Sequence, residues 1–338
     1  MRIPSMLSSV SGASERAIAG LALGLASRLG VDRASEFGGA FARNLGPHTR
    51  NHQRALENLR LVLPGLGAER HAAILDRMWD NLGRVSAEYA HLGQLMGDPG
   101  RIRVTGLEQC RAQMRKGRGG ILLSAHYGNW ELSNVFGQRL GLTQANVHKP
   151  LRNPALEDLY RKCRASTIAG PLISASSRSL RQMMTLINKG VYIGMLADHK
   201  LDDGLLLPFL GIPALTNHAP AVLARRLNVP IFIGRVIREV GARFSLECRP
   251  VPVDVSADWQ VDVESTTHRI NDIVSGWIRE RPEQWCWVHR RWKVKAAATA
   301  GVRDNIQNPD GLPPVIPGYG QLVMAASGPR MRHAAVRR

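Results

Sequence analysis

The chain has 338 residues, of which 44% are hydrophobic, with 33 glycines and a formal net charge of +18. That length and apolar content exclude a disordered chain and allow a full core, as one large domain or as a domain with extensions. The charge excludes indifference to anionic surfaces: it predicts attraction to nucleic acid, acidic lipid or an acidic protein, and does not choose among them.

The opening, "MRIPSMLSSVSGASER", lacks the apolar core of a secretory signal. "AIAGLALGLAS" follows between Arg16 and Arg28. It is too short to span a bilayer, which takes about 20 residues. It suits either an amphipathic helix lying in a membrane interface or a short packing helix. "NHQRALENLRLVLP" places Leu56, Leu59 and Leu63 at helical spacing and stops at Pro64, and "HAAILDRMWDNLGRVSAEYAHLGQLM" continues the period with Ile74, Met78, Leu82 and Val85. Residues 1–100 are therefore expected to form a helical region with a candidate membrane-interface helix.

From Gly106 one rhythm repeats three times. "GLEQCRAQMRKG" leads into "GGILLSAH", "SLRQMMTLINKG" into "VYIGMLAD", and "APAVLARRLN" into "VPIFIGRVI". Helix, stop and apolar strand in alternation predict an α/β domain over 101–295, with a mostly parallel, buried central sheet flanked by helices. "ARFSLECRPVPV" reads as a later strand and "TTHRINDIVSGWIRERP" as a closing helix. Residues 296–338, rich in proline and glycine and ending in "GPRMRHAAVRR", read as a flexible basic tail. The cysteines at 110, 163, 248 and 286 show neither close pairing nor metal-ligand spacing, so buried free thiols are expected.

The chemistry-bearing stretch is "SAHYGNWELS", residues 124–133. His126 follows an apolar strand, at the carboxyl edge where open α/β sheets bind ligands. In an unbroken helix residues five apart diverge by about 140°. Gly128 and Asn129 allow His126 to sit in a turn and Glu131 to occupy the first turn of the next helix, from where the imidazole can bend back to the carboxylate. Such a pair makes a general base, because a carboxylate on one ring nitrogen fixes the tautomer that leaves the other free to take a proton. No Gly-x-Ser-x-Gly elbow is nearby, which favours direct attack by a substrate hydroxyl. A structural histidine beside a surface glutamate fits the spacing equally.

The blocks around this motif carry a resemblance. "ILLSAHYGNWEL" looks like the catalytic motif of the bacterial lipid A biosynthesis acyltransferases, the lauroyl and myristoyl transferases within the glycerolipid acyltransferase-like superfamily. "QRALENLRLVLP", "VHKPLRNPALEDLYRKCR", "GVYIGMLADHK", "LPFLGIPALTNHAPAVLARRLNVPI" and "RPEQWCWVHRRWK" resemble further blocks of that family, so the likeness runs from about residue 50 to 293. It implies a glycerolipid acyltransferase-like fold and acyl transfer from an acyl thioester, commonly acyl carrier protein, to a hydroxyl of a lipid A precursor at the cytoplasmic face of the inner membrane. No cofactor or metal is implied. His126 would deprotonate the hydroxyl, Glu131 would orient His126, and Arg161 or Arg164 would face the thioester oxyanion.

Two positions depart from the family pattern. Lys149 stands where arginine is usual, keeping the charge and losing the bidentate fork. His199 replaces a glutamine after Asp198, itself expected to support the site or position the sugar acceptor. Asn153 and Thr216 fall in matching blocks and are candidates for shaping the pocket, although both suit ordinary caps or turns. His148, Asp198 and His199 beside His126 raise a metal site, but no close ligand signature accompanies them. "WCWVHRRWK" suits either an anionic membrane surface or a strand alternating buried tryptophans with exposed charges. Acylation of another glycolipid, such as a phosphatidylinositol mannoside, is the neighbouring alternative. A non-catalytic nucleic-acid-binding protein would explain the charge, but no nucleic-acid module is recognisable and no nucleic-acid partner is expected.

Overall fold

A computed structural model describes residues 5–151, 153–165, 170–174 and 179–292. The expected tail at 296–338 lies outside them. Five helices come first: α1 (Ser5–Arg28), α2 (Val31–Leu45), α3 (Arg50–Val62), α4 (Ala68–Glu88) and α5 (Leu92–Gly97). Thr49 caps α3 by accepting the His52 amide, and the helix ends just before Pro64. The continuous helical period expected from His71 to Met96 is interrupted by a 3-10 turn at Tyr89–His91. The side chains there are committed elsewhere, His91 Nε2 to the Ala26 carbonyl at 3.0 Å and Tyr89 to Glu131. Helices α2 and α4 cross where a Cβ on Gly83 would stand 2.0 Å from the Gly38 carbonyl oxygen, an approach only glycine permits.

The α/β region follows as β1 (Ile102–Thr105), α6 (Leu107–Arg111), β2 (Ile121–Ser124), α7 (Asn134–Arg139), β3 (Gln144–His148), α8 (Pro154–Arg164), β4 (Leu172–Ser174), α9 (Ser179–Asn188), β5 (Tyr192–Leu196), β6 (Lys200–Phe209), β7 (Ile212–Thr216), α10 (Ala219–Leu227), β8 (Ile231–Arg238), β9 (Phe244–Val251) and α11 (Trp259–Glu280). Seven strands form one sheet in the order β1-β9-β8-β2-β5-β3-β4, parallel at every pairing except β8 with β9, while β6 and β7 make a separate antiparallel hairpin. This is the mostly parallel sheet expected from the helix-strand rhythm. The three strands of that rhythm are its centre, β8, β2 and β5.

The pleat divides the apolar residues between two layers. Ile121, Leu123, Ile231 and Ile233 face a core shared with α3, α9 and α11, while Leu122 and Phe232 face a second core with α4, α5 and α7. A buried ion pair joins the helical region to the sheet. Arg238 on β8 donates to both oxygens of Glu88 at 2.6 and 2.9 Å, and Ser35 and Asn129 satisfy the same carboxylate.

After α11 the chain turns at Pro282–Gln284 and returns across the sheet. In "WCWVHRRWK" the tryptophans are buried and Arg290 is exposed, as the strand reading has it, but the segment is not a regular strand and one of its charges is buried. Trp285, Trp287 and Trp292 are buried, and so is Arg291, which donates to the Leu215 carbonyl at 2.7 Å and to Thr216 Oγ1 at 2.8 Å. The segment closes the core: the rings of Trp285 and Trp292 pack on Phe209 of β6, with centroids at 5.8 and 6.0 Å. Cys110, Cys248 and Cys286 are buried free thiols, as expected, while Cys163 is half-buried.

Candidate active site

Strand β2 ends at Ser124, and His126 stands just beyond its carboxyl edge. The turn that follows needs glycine. Gly128 has φ of +54°, and a Cβ there would stand 1.9 Å from the Val236 carbonyl oxygen. The returning C-terminal segment clamps this turn from the other side. Cys286 N donates to the His126 carbonyl at 3.1 Å, and Gly128 N donates to the Gln284 carbonyl at 2.9 Å. Asn129 caps the 3-10 turn Trp130–Ser133 by accepting the Glu131 amide.

The acid beside His126 comes from a different strand than the motif suggests. Strand β5 delivers Asp198, whose carboxylate is buried. His126 Nδ1 lies 3.0 Å from Asp198 Oδ1, and Asp198 Oδ2 accepts the His126 amide at 2.9 Å and Trp285 Nε1 at 2.8 Å. The charge-assisted partner places the proton on Nδ1 and leaves Nε2 as the acceptor. Burial alone would raise the Asp198 carboxyl, but the charge and hydrogen bond of His126, reinforced by His199 and His289, overcome it and hold the group well below the usual carboxylate range.

Glu131 is the correction. It occupies the first turn after the break, as expected, but its carboxylate is not the partner of the imidazole. Arg164 grips it with two donors, Nε to Oε2 at 2.7 Å and Nη2 to Oε1 at 2.6 Å, while Tyr89 OH and Trp130 Nε1 donate to Oε1 at 2.6 and 3.1 Å. Burial and the Glu131 charge push the Tyr89 hydroxyl well above its ordinary value, so it stays a donor. The physical reason is competition: a guanidinium and a phenol reach the carboxylate from α8 and the end of α4, and Asp198 already saturates the imidazole's other side. The Glu131 complex thus fixes the turn that carries His126 and packs Trp130 at 5.2 Å, ring centroid to centroid, from the imidazole.

The remaining candidates separate. Arg164, tied to Glu131, is not aimed at an oxyanion, and Arg161 is exposed on α8. Asn153 caps α8, accepting from Ala155 N at 3.0 Å. Thr216 is buried and takes hydrogen bonds from Arg291 and Asn271, so it braces the core rather than lining a pocket. Lys149 is exposed at the carboxyl end of β3, close enough to His199 for its charge to help lower that imidazole. His148 is paired with Glu157 at 2.7 Å and stands apart from the cluster around His126. Two surface hollows, one along α11 and one between α3 and α4, are lined by neither His126 nor Asp198.

Three residues enter the site that the motifs did not assign to it. Trp285 and His289 lie in a block already notable in the sequence, whereas Tyr89 carried no signal. His199 and His289 flank His126 with ring centroids at 4.6 and 4.5 Å. Desolvation and the neighbouring His126 lower His289 to about 3, and lower His199 to about 4 even though His199 keeps an exposed edge. Among the described residues, His126, Asp198 and His289 are the group whose donor atoms, all within 4.8 Å of one another, could hold a metal ion.

Comparison with known proteins places the chain in a family. The family model for bacterial lipid A biosynthesis acyltransferases matches residues 16–294. The chain is 26% identical over 254 residues to a lipid A biosynthesis lauroyltransferase of Escherichia coli K12, an alignment covering 70% of this chain and 78% of that one. It is 22% identical over 256 residues to a lipid A biosynthesis palmitoleoyltransferase of the same organism, covering 73% and 80%. Among solved structures, a 1-acyl-sn-glycerophosphate acyltransferase of Thermotoga maritima aligns over 69% of this chain and 97% of that chain, at 13% identity and a TM-score of 0.31. The family match spans the helices, the sheet, the His126 turn and the returning segment, and by it the chain is an O-acyltransferase belonging to the bacterial lipid A biosynthesis acyltransferase family.

Proposed function

We propose that this enzyme transfers a fatty acyl group from a thioester, carried on acyl carrier protein, to a hydroxyl of a lipid A precursor, with His126 as general base and Asp198 as the acid that orients it. The observation that carries the reading is the 3.0 Å contact between His126 Nδ1 and Asp198 Oδ1. Asp198 holds the proton on Nδ1, Nε2 accepts the proton of the attacking hydroxyl, and the oxygen adds to the thioester carbonyl. Collapse of the tetrahedral intermediate breaks the carbon–sulfur bond, and the departing thiolate recovers the proton from His126. Asp198 stays ionised throughout and stabilises the imidazolium. Lys149 provides positive charge at the same strand edge for the phosphorylated acceptor or the oxyanion, and Arg161 lies on the exposed face of α8 where an acidic carrier would approach.

Membrane association is part of the same proposal. No helix among the described residues is long and apolar enough to cross a bilayer. Yet α1 exposes Ile18, Leu21 and Leu25 at helical spacing, with Leu29 exposed just past its end, and α2 exposes Phe37, Phe41 and Leu45. An apolar stripe with arginines at its flanks suits peripheral binding to the anionic cytoplasmic face of the inner membrane.

The test combines purified protein, acyl carrier protein charged with a fatty acid and a lipid A precursor, with product mass read by mass spectrometry. The expected product is heavier by one acyl group, and His126→Ala reduces its formation by about a hundredfold or more. Undiminished transfer in that variant would remove His126 from the mechanism.

A further inference from the structure

We propose that the imidazoles around Asp198 form an inhibitory site for a borderline-soft divalent cation such as Zn²⁺, which on binding takes the catalytic base out of service. Two independent observations support it. One ring nitrogen each of His126 and His289 and one carboxylate oxygen of Asp198 lie within 4.8 Å of one another. Separately, His289 Nε2 is buried with no hydrogen-bond partner among the described residues, so a nitrogen lone pair or N–H is held in the protein interior without compensation.

The donor set matches the chemistry. Neutral imidazole nitrogen and carboxylate oxygen are ligands that zinc accepts in tetrahedral array, with metal–donor lengths of about 2.0–2.2 Å. Such a centre spaces its donors by about 3.4 Å, so only the widest of the three separations, at most 4.8 Å, has to close on binding. Asp198 Oδ1 has a second lone pair beyond the one facing His126 Nδ1. His199 lies outside this group, its ring standing 4.6 Å from that of His126 and 5.7 Å from that of His289, and would supply a fourth nitrogen by rotating inward.

Inhibition follows from either nitrogen of His126. A cation on Nε2 caps the lone pair that accepts the substrate proton. A cation on Nδ1 displaces the proton held against Asp198, that proton relocates through solvent to Nε2, and the ring becomes a donor where an acceptor is needed. No bond to substrate forms or breaks. The binding claim stands on geometry alone, and the inhibition claim rests on the role of His126 proposed above.

The experiment uses the full-length protein and Co²⁺, whose visible d–d bands report coordination without any turnover, followed by ZnCl₂ competition in calorimetry. Saturation near one equivalent with tetrahedral-type bands is expected. His126→Ala and His289→Ala each weaken binding by about tenfold or more, and His199→Gln gives a smaller loss with altered bands. Acyl transfer by the wild-type protein falls as Zn²⁺ saturates, recovers on chelation, and is indifferent to Mg²⁺. Circular dichroism melts verify that each variant is folded, and His126→Ala, at a partly open position, serves if His289→Ala does not fold. Absence of saturable binding, or binding unchanged by the folded variants, overturns the site. Binding as expected with no acyl transfer under any condition leaves the site standing and sinks the function reading instead.

Discussion

At the scale of single residues, two buried carboxylates near one histidine divide the work. Asp198 holds the imidazole through a side chain–side chain contact and a backbone amide, whereas Glu131 holds the turn through Arg164 and Tyr89. Their substitutions should therefore fail in different ways. Asp198→Asn presents an amide donor where the imidazole needs an acceptor, favouring the wrong tautomer, and should lower kcat by about 10²–10⁴ with KM little changed. Glu131→Gln leaves the Arg164 guanidinium facing a neutral partner in a mostly buried place, and should cost about 3 kcal/mol of stability. Pairing it with Arg164→Met should restore much of that loss. Urea unfolding of the singles and the double, set beside kcat and KM for each, separates the two roles. An unaltered unfolding midpoint in Glu131→Gln would count against the clamp.

At the scale of elements, the helices that carry the membrane proposal can be tested without touching the site. Phe37 and Phe41 are 65% and 56% exposed on α2, one turn apart, on the side away from buried Gly39. Phe37→Ser with Phe41→Ser removes two aromatic anchors, and should weaken binding to vesicles containing anionic lipid by about tenfold or more, with acyl transfer to detergent-dispersed acceptor preserved. Flotation assays at low and high salt divide the apolar share from the screened electrostatic share. The elements also show what was legible in the sequence. β2, β5 and β8 were readable because central parallel strands are buried on both faces and appear as unbroken apolar runs. β1, β3 and β4 were not: each is short, β1 and β4 stand at the sheet edges where less burial is demanded, and "QANVH" of β3, next to the edge, is part polar. Within the site, His126 was legible from strand and turn. Its partner was not, because Asp198 lies 72 residues away and reaches it only through the β2–β5 pairing.

At the scale of the whole molecule, the net charge of +18 meets a set of ionised carboxylates that hold separate parts together. The hydrogen bond from Arg101 lowers Asp32, that from Ser265 lowers Asp254, and that from Arg235 lowers Glu280, each below its ordinary value. A group depressed in the folded state binds more protons when unfolded. Its contribution is therefore complete above the unfolded value, near 4, and is lost as pH falls through the folded one. Stability should begin to fall below about pH 6.5, where the unfolded chain protonates His199 and His289 ahead of the folded one, and decline more steeply toward pH 3, where protonated carboxyls also leave the positive charge unopposed. Urea midpoints across that range provide the measurement, and a flat profile down to pH 3 would contradict these pairings.

The amide of Cys286 and the carbonyl of Gln284 hold the histidine turn, and the indole of Trp285 reaches the aspartate behind it. The support of the imidazole is thus assembled from the middle of the polypeptide and from residues 284–286. On the ribosome, the sheet's central strands can emerge and pair well before that stretch clears the exit tunnel. Until it does, the imidazole lacks its final support, so an incompletely synthesised chain can fold much of its scaffold yet remain chemically silent.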